Sequence, residues 1–212
     1  MFSNLRKYRV IPLLKYKDLE PETAIKIAEA LTAGGLSSME INFRRHCDSK
    51  AIKEVSRTFP DFLIGASGIL NKDQLLRAID SGAKFVTSPV LCRDCLPIAA
   101  KQKITFAPGA NTPNEIEQIL LTGCITFQFF PAALDNGAKY LQSVLEPFEH
   151  LPLDVIVKGG INSCSVKEYS LIPQVLAIAV EDIIRPEYIA EQRWDLITEA
   201  AKNVLRLINT PN

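Results

Sequence analysis

No uncharged apolar run in the 212-residue chain approaches the length of a membrane span. The opening Met-Phe-Ser-Asn-Leu-Arg-Lys-Tyr-Arg has no apolar core before a small-residue cleavage site. These absences predict a cytoplasmic protein without membrane contact. An excess of charge is lacking too, since 24 Lys and Arg balance 24 Asp and Glu. Basic clusters interleaved with aromatics are also missing, so nothing points to nucleic acid, and a small-molecule partner is expected. Five cysteines are an odd number and too sparse for a disulfide-built domain, which suits a reducing compartment. Cys92 and Cys95 have the C-x-x-C spacing of a redox or metal half-site, yet no second pair or nearby histidine completes one. The plainer expectation is two thiols on a short helix, with no metal and no cofactor.

The chain does hold 47% hydrophobic residues, enough for one large core, and no linker or low-complexity stretch divides it. A single domain over residues 1–212 is expected. Short β-branched runs alternate with helix-patterned segments through eight rounds, with strands predicted at 9–14, 38–43, 62–66, 84–88, 104–107, 125–129, 154–158 and 174–180. Helical patterns fall between them, including 22–33, 50–58, 72–81, 114–121 and 138–148, with 166–171 the shortest. Gly34, Gly35, Gly82 and Gly123 stand where a helix ends in a left-handed residue before the next strand. Eight strand–helix units predict a parallel α/β fold closed into a (β/α)8 TIM barrel, with a doubly wound open sheet as the alternative. The final segment, 186–207, contains the only tryptophan, Trp194, and reads as one long outer helix.

In a barrel, alternate strand residues point inward and functional groups sit at the strands' carboxyl ends. Met39, Ile41 and Phe43 make an apolar face for the helices, which leaves Glu40, Asn42 and Arg44 facing the barrel or its mouth. Burial there favours a neutral Glu40 unless Arg44 or a lysine holds it ionised, and either state suits proton transfer. A Glu–Arg ion pair bracing the barrel is the structural alternative. Lys158 ends the seventh strand and is followed by Gly159 and Gly160, whose bare amides can approach an anion. That arrangement suits an amine nucleophile or an anion clamp, and otherwise a lysine reaching solvent at the rim.

Seven anchors, in order, resemble the 2-keto-3-deoxy-6-phosphogluconate (KDPG) and 2-keto-4-hydroxyglutarate (KHG) aldolases over most of the chain. They are Val10-Ile11-Pro12-Leu13-Leu14; Gly34-Gly35-Leu36 leading to Met39-Glu40-Ile41-Asn42-Phe43-Arg44; Ile64-Gly65-Ala66-Ser67-Gly68-Ile69-Leu70; and Ser88-Pro89. Then come Pro108-Gly109-Ala110-Asn111-Thr112-Pro113-Asn114-Glu115, Phe129-Phe130-Pro131-Ala132, and Gly159-Gly160-Ile161. The resemblance implies a trimeric barrel that forms a Schiff base with a 2-keto acid, with Glu40 as general acid/base and Arg44 binding the substrate carboxylate. It also implies substrate-contacting places for Lys15, Gly68, Pro89, Gln128, Gly159 and Gly160. Lys15 stands where many relatives have arginine, which keeps the charge without the fork geometry.

Gln128 stands where that family has its Schiff-base lysine, and an amide cannot form an imine. Lys158 replaces a threonine on the neighbouring strand, within a lysine's reach at a strand spacing of about 4.8 Å. Gly68 replaces a pyruvate-holding threonine. Around Ala179-Val180-Glu181 the Gly-Gly-Ser of the phosphate site is gone, and a carboxylate there repels phosphate. The expectation is an aldolase for an unphosphorylated 2-keto acid, with Lys158 as a relocated nucleophile of lowered pKa. The alternatives are a binding protein that has lost the chemistry, or an imine-free lyase or isomerase using Glu40.

Overall fold

Each predicted β-branched run forms a strand within a residue or so of its expected limits in the computed structural model, which describes residues 5–6, 9–134 and 136–209. The strands are β1 (Val10–Leu14), β2 (Ser38–Asn42), β3 (Leu63–Ser67), β4 (Phe85–Thr87), β5 (Thr105–Ala107), β6 (Gly109–Ala110), β7 (Thr126–Phe129), β8 (Asp154–Val157) and β9 (Val175–Val180). All pair in parallel, in the order β5-β4-β3-β2-β1-β9-β8-β7-β6. The fifth predicted strand, 104–107, stops at Pro108, and the short strand β6 follows beyond it, outside the predicted set. Since β5 and β6 share one stretch of chain, the two ends of the ladder meet there and the barrel closes; the Gln128 amide donates to the Pro108 carbonyl across the break.

The helices are α1 (Pro21–Ala33), α2 (His46–Thr58), α3 (Lys72–Asp80), α4 (Cys95–Gln102), α5 (Pro113–Leu120), α6 (Gly137–Leu145), α7 (Val166–Ser170), α8 (Pro186–Ala190) and α9 (Trp194–Asn209), with a 3-10 turn at Glu146–Phe148. Their starts have chemical causes. Thr112 and Glu115 exchange hydrogen bonds as a capping box ahead of α5, with Pro113 in its first turn. Asn71 accepts from the Gln74 amide to start α3, and Asp48 accepts from the Arg44 and Arg45 amides to start α2. These last bonds pull α2 back to His46, four residues before the predicted start.

Two packing layers follow from strand parity. Met39, Ile41, Phe43, Ile64, Val86, Val155 and Val157 face the helices in the main core. Leu5, Ile11, Leu63, Phe85, Ala107, Ile156, Leu176 and Ala177 form a separate apolar cluster inside the barrel. A Cβ at Gly65 would lie 2.2 Å from the Phe85 ring, so the glycine makes room for that plug.

Three sequence expectations need correction. The final segment is two helices rather than one, because Gln192 takes a left-handed conformation (φ 54°) and the Arg193 amide turns back to the Tyr188 carbonyl. Gly34 is right-handed (φ −83°); of the four glycines expected to end helices, Gly35, Gly82 and Gly123 have positive φ and Gly34 does not. What Gly34 lacks is bulk, since a Cβ there would lie 2.5 Å from the Ala201 Cβ of α9. Cys92 and Cys95 are not two thiols on one helix: Cys92 precedes α4 with φ 43°, Cys95 opens the helix, and the two are disulfide-bonded. Among the described residues, no helix is long and apolar enough to cross a membrane, and no group of three or more His, Cys, Asp or Glu is placed to hold a metal.

Candidate active site

The inward layer above the apolar plug is polar. Glu40 lies on β2, Thr87 ends β4, Gln128 is on β7, and Lys158 follows the last residue of β8. Parallel register carries these side chains to the same end of the barrel: Glu40 pairs with Gly65, Thr87 with Ala107 and Gln128 with Ile156. All four are buried, Glu40 and Thr87 completely.

Lys158 and Glu40, separated by 118 residues in sequence, meet with Nζ 2.5 Å from Oε2. Thr87 completes the group: its hydroxyl donates to Glu40 Oε1 at 2.5 Å and accepts from Lys158 Nζ at 3.3 Å. The cation that answers Glu40 is therefore Lys158 and not Arg44, so the Glu–Arg brace does not form. Burial is the strongest influence on the Lys158 ammonium and lowers its pKa. The charge and hydrogen bond of Glu40 oppose this, Lys15 adds to the lowering, Glu181 opposes it, and the net direction is down.

Around this centre lies a looser ring. Arg44 is exposed at the rim, where its Nε donates to Asn42 Oδ1 at 3.2 Å. Gly68 (φ 75°) sits beneath that pair, and a Cβ there would crowd Asn42 Oδ1 to 2.9 Å. Lys15 is paired with Glu181 at 2.8 Å, and Glu181 also accepts from the Gly160 amide at 3.1 Å. Burial works to raise the Glu181 carboxyl, but the bonds from Lys15 and Gly160, with the charges of Lys15 and Lys158, outweigh it and hold the pKa down.

Gly159 and Gly160 have φ of 99° and 78°. The turn after β7 leaves no space for side chains on them, since Cβ atoms would lie 2.8 Å from the Phe130 ring and 2.7 Å from Ala133. Pro89 lines a neighbouring cleft of about 270 Å³ with Gly109, Asn111 and Phe130, which includes neither Glu40 nor Lys158. The chemistry-bearing groups are thus beside this cleft rather than in it. Among the described residues, Gln128 Oε1 is buried without a hydrogen-bond partner, as is Thr126 Oγ1 two residues before it on the same face. An inward-facing acceptor without a protein partner suits a hydroxyl or water donor.

Thr87 is the member of the group that sequence reasoning missed. Its signal was present, because the parity that turns Phe85 into the barrel also turns Thr87 inward.

A closed parallel barrel that gathers a buried amine–carboxylate pair at the carboxyl ends of its strands places its ionisable groups where barrel enzymes carry their active sites. The chain matches the KDPG and KHG aldolase family over residues 1–200 and belongs to it. It is 31% identical to the KHG/KDPG aldolase of Escherichia coli K12 over 196 residues, covering 92% of this chain and 90% of that one. The KDPG aldolase of Legionella pneumophila, with pyruvate captured at low pH as a covalent carbinolamine intermediate, superposes with a TM-score of 0.88 at 33% identity. That match covers 96% of this chain and 97% of the other. The enzyme of Zymomonas mobilis ZM4 with 3-phosphoglycerate gives 0.83 at 30% identity over 96% and 94% of the two chains.

Proposed function

We propose that the chain is a class I aldehyde-lyase, cleaving or forming a carbon–carbon bond of an unphosphorylated 2-keto-4-hydroxy or 2-keto-3-deoxy acid, with pyruvate as one product. Lys158 is the imine-forming amine, Glu40 the general acid/base and Arg44 the carboxylate ligand. The observation that carries this reading is the buried contact of Lys158 Nζ with Glu40 Oε2 at 2.5 Å. One proton crossing that contact leaves a free amine and a carboxylic acid side by side, which are the two species the first half-reaction needs.

The amine attacks C2 of the keto acid, and an amine proton moves to the carbonyl oxygen to give the carbinolamine. The Glu40 acid protonates the carbinolamine hydroxyl, the C2–O bond breaks, water leaves, and a protonated imine remains beside a Glu40 carboxylate. That carboxylate removes the C4 hydroxyl proton. The C3–C4 bond then breaks, with its electron pair moving into an enamine and an aldehyde departing. Glu40 returns the proton to C3, and water hydrolyses the imine to release pyruvate and the amine. Gln128 Oε1, unpartnered among the described residues, accepts from the carbinolamine hydroxyl. Gly68, Pro89, Gly159 and Gly160 frame the substrate, and Lys15 with Glu181 sets the distal limit of the site. The protein is taken to work in the cytoplasm as a homotrimer.

Incubation with pyruvate and borohydride should add one reduced pyruvyl mass, mapped to Lys158, and Lys158→Ala should lose it. Leaving Glu40 buried without its cation costs about 3–5 kcal/mol, so circular dichroism must first show that the variant is folded. No adduct on the parent chain, or an adduct on Lys15, removes Lys158 as nucleophile and leaves the pair as a structural brace.

A further inference from the structure

Glu40 has two oxygens and the chemistry above uses one proton at a time, so something must keep them distinct. Lys158 Nζ lies against Oε2, while Oε1 receives the Thr87 hydroxyl at 2.5 Å. Thr87 has a single proton to give. With that proton on Oε1, the contact of Thr87 Oγ1 with Nζ at 3.3 Å runs the other way, from ammonium to hydroxyl. The three groups form a directed ring in which Oε1 is a fixed acceptor and Oε2 is the oxygen that exchanges protons.

We infer that Thr87 is a positioning residue for Glu40, holding Oε2 toward the imine nitrogen and C3 after Lys158 has been consumed as an ammonium partner. This rests on the imine reading above. Before substrate arrives, Lys158 and Thr87 both anchor the carboxylate. Once Nζ is an imine nitrogen it carries at most one proton, and its hold on Glu40 weakens. Thr87 is on a different strand and is unchanged by the reaction. Its side chain is wholly buried and rises from the same inward row as Phe85, whose ring fills the barrel beneath it, so the hydroxyl has a rigid base. Thr87 is therefore needed less for forming the imine than for moving protons afterwards.

Pyruvate alone separates these stages, because borohydride trapping reads imine formation and exchange of the pyruvate methyl protons in deuterium oxide reads proton transfer at C3. In Thr87→Val, a near-isosteric change, trapping at Lys158 should persist while methyl exchange at saturating pyruvate slows by roughly ten- to a hundredfold. That is the worth of one hydrogen bond to a charged group. The pyruvate concentration for half-maximal exchange should change by less than about threefold, since binding is left alone. Thr87→Ser, which restores the hydroxyl, should return exchange to within about threefold of the parent.

Parent-like exchange in Thr87→Val overturns the inference, as does a Thr87→Ser variant as slow as the valine one. Loss of trapping together with exchange in Thr87→Val would show that the residue merely holds the pair in place, and also overturns it. If the parent chain neither traps nor exchanges pyruvate, the imine reading fails first and the role of Thr87 with it.

Discussion

Glu181 is a carboxylate held just past Val180, at the carboxyl end of β9. It occupies the Gly160 amide and the Lys15 ammonium together, at 3.1 and 2.8 Å, and its lowered pKa keeps it ionised. An anion entering this corner has to displace a like charge from both donors, and gains nothing that Glu181 had not already gained. Inorganic phosphate should therefore show no saturation in titration calorimetry up to roughly millimolar concentration. Glu181→Ser, which frees the amide and the lysine, should bind it at least about tenfold more tightly. Tight binding of a phosphorylated 2-keto acid by the parent chain sinks the unphosphorylated-substrate reading while leaving Lys158 untouched.

Among the elements, α7 is only five residues long and needs help to stay on the barrel. Tyr169 supplies it: its hydroxyl donates to the Ala132 carbonyl at 2.7 Å, joining α7 to the turn after β7 that backs Gly159 and Gly160. Burial, with a smaller contribution from Glu168, pushes the Tyr169 phenol up to about 12 from 10.0. A raised pKa in the folded state means that the unfolded chain loses this proton first. The contribution is thus complete below pH 10 and is lost as pH rises from 10 to about 12. Denaturant titrations across that window should show stability falling with pH, and Tyr169→Phe should flatten this part of the fall. A variant with the parent's full slope would show that other groups govern it.

At this scale most of the fold was legible, because β-branched runs and helix periodicity are local signals. The inward row Glu40-Asn42-Arg44 and the strand-end Lys158 were legible by the same parity. What could not be read locally was which cation answers Glu40, since Lys158 lies 118 residues away and the choice over Arg44 depends on barrel closure. The break at Gln192 was hidden for a different reason: Glu191-Gln192-Arg193 contains neither glycine nor proline, and its left-handed residue is held by a tertiary turn. The C-x-x-C pair showed its spacing but not that Cys92 lies outside the helix.

For the whole molecule, zero net charge removes long-range repulsion between copies, and the rim near β6 and β7 leaves apolar groups uncovered. Val90, Phe130, Leu134 and Tyr140 are 46%, 36%, 57% and 38% exposed. They belong to one neighbourhood: Val90 and Phe130 line the same cleft, Tyr140 donates to the Asn111 carbonyl beside it, and Leu134 lies in the turn that follows Phe130. The homotrimer proposed above would bury such a rim in a ring in which each copy offers this face to the next. Sedimentation equilibrium should then give three times the 23.5 kDa chain mass. Charging the face with Val90→Glu and Leu134→Glu should yield monomers. Because Glu40, Thr87 and Lys158 all come from one chain, those monomers should still give the pyruvyl adduct at Lys158. A parent chain that sediments as a monomer at working concentration refutes the assembly. A dissociated variant that is folded but no longer trapped by borohydride would mean that the neighbouring copy completes the site.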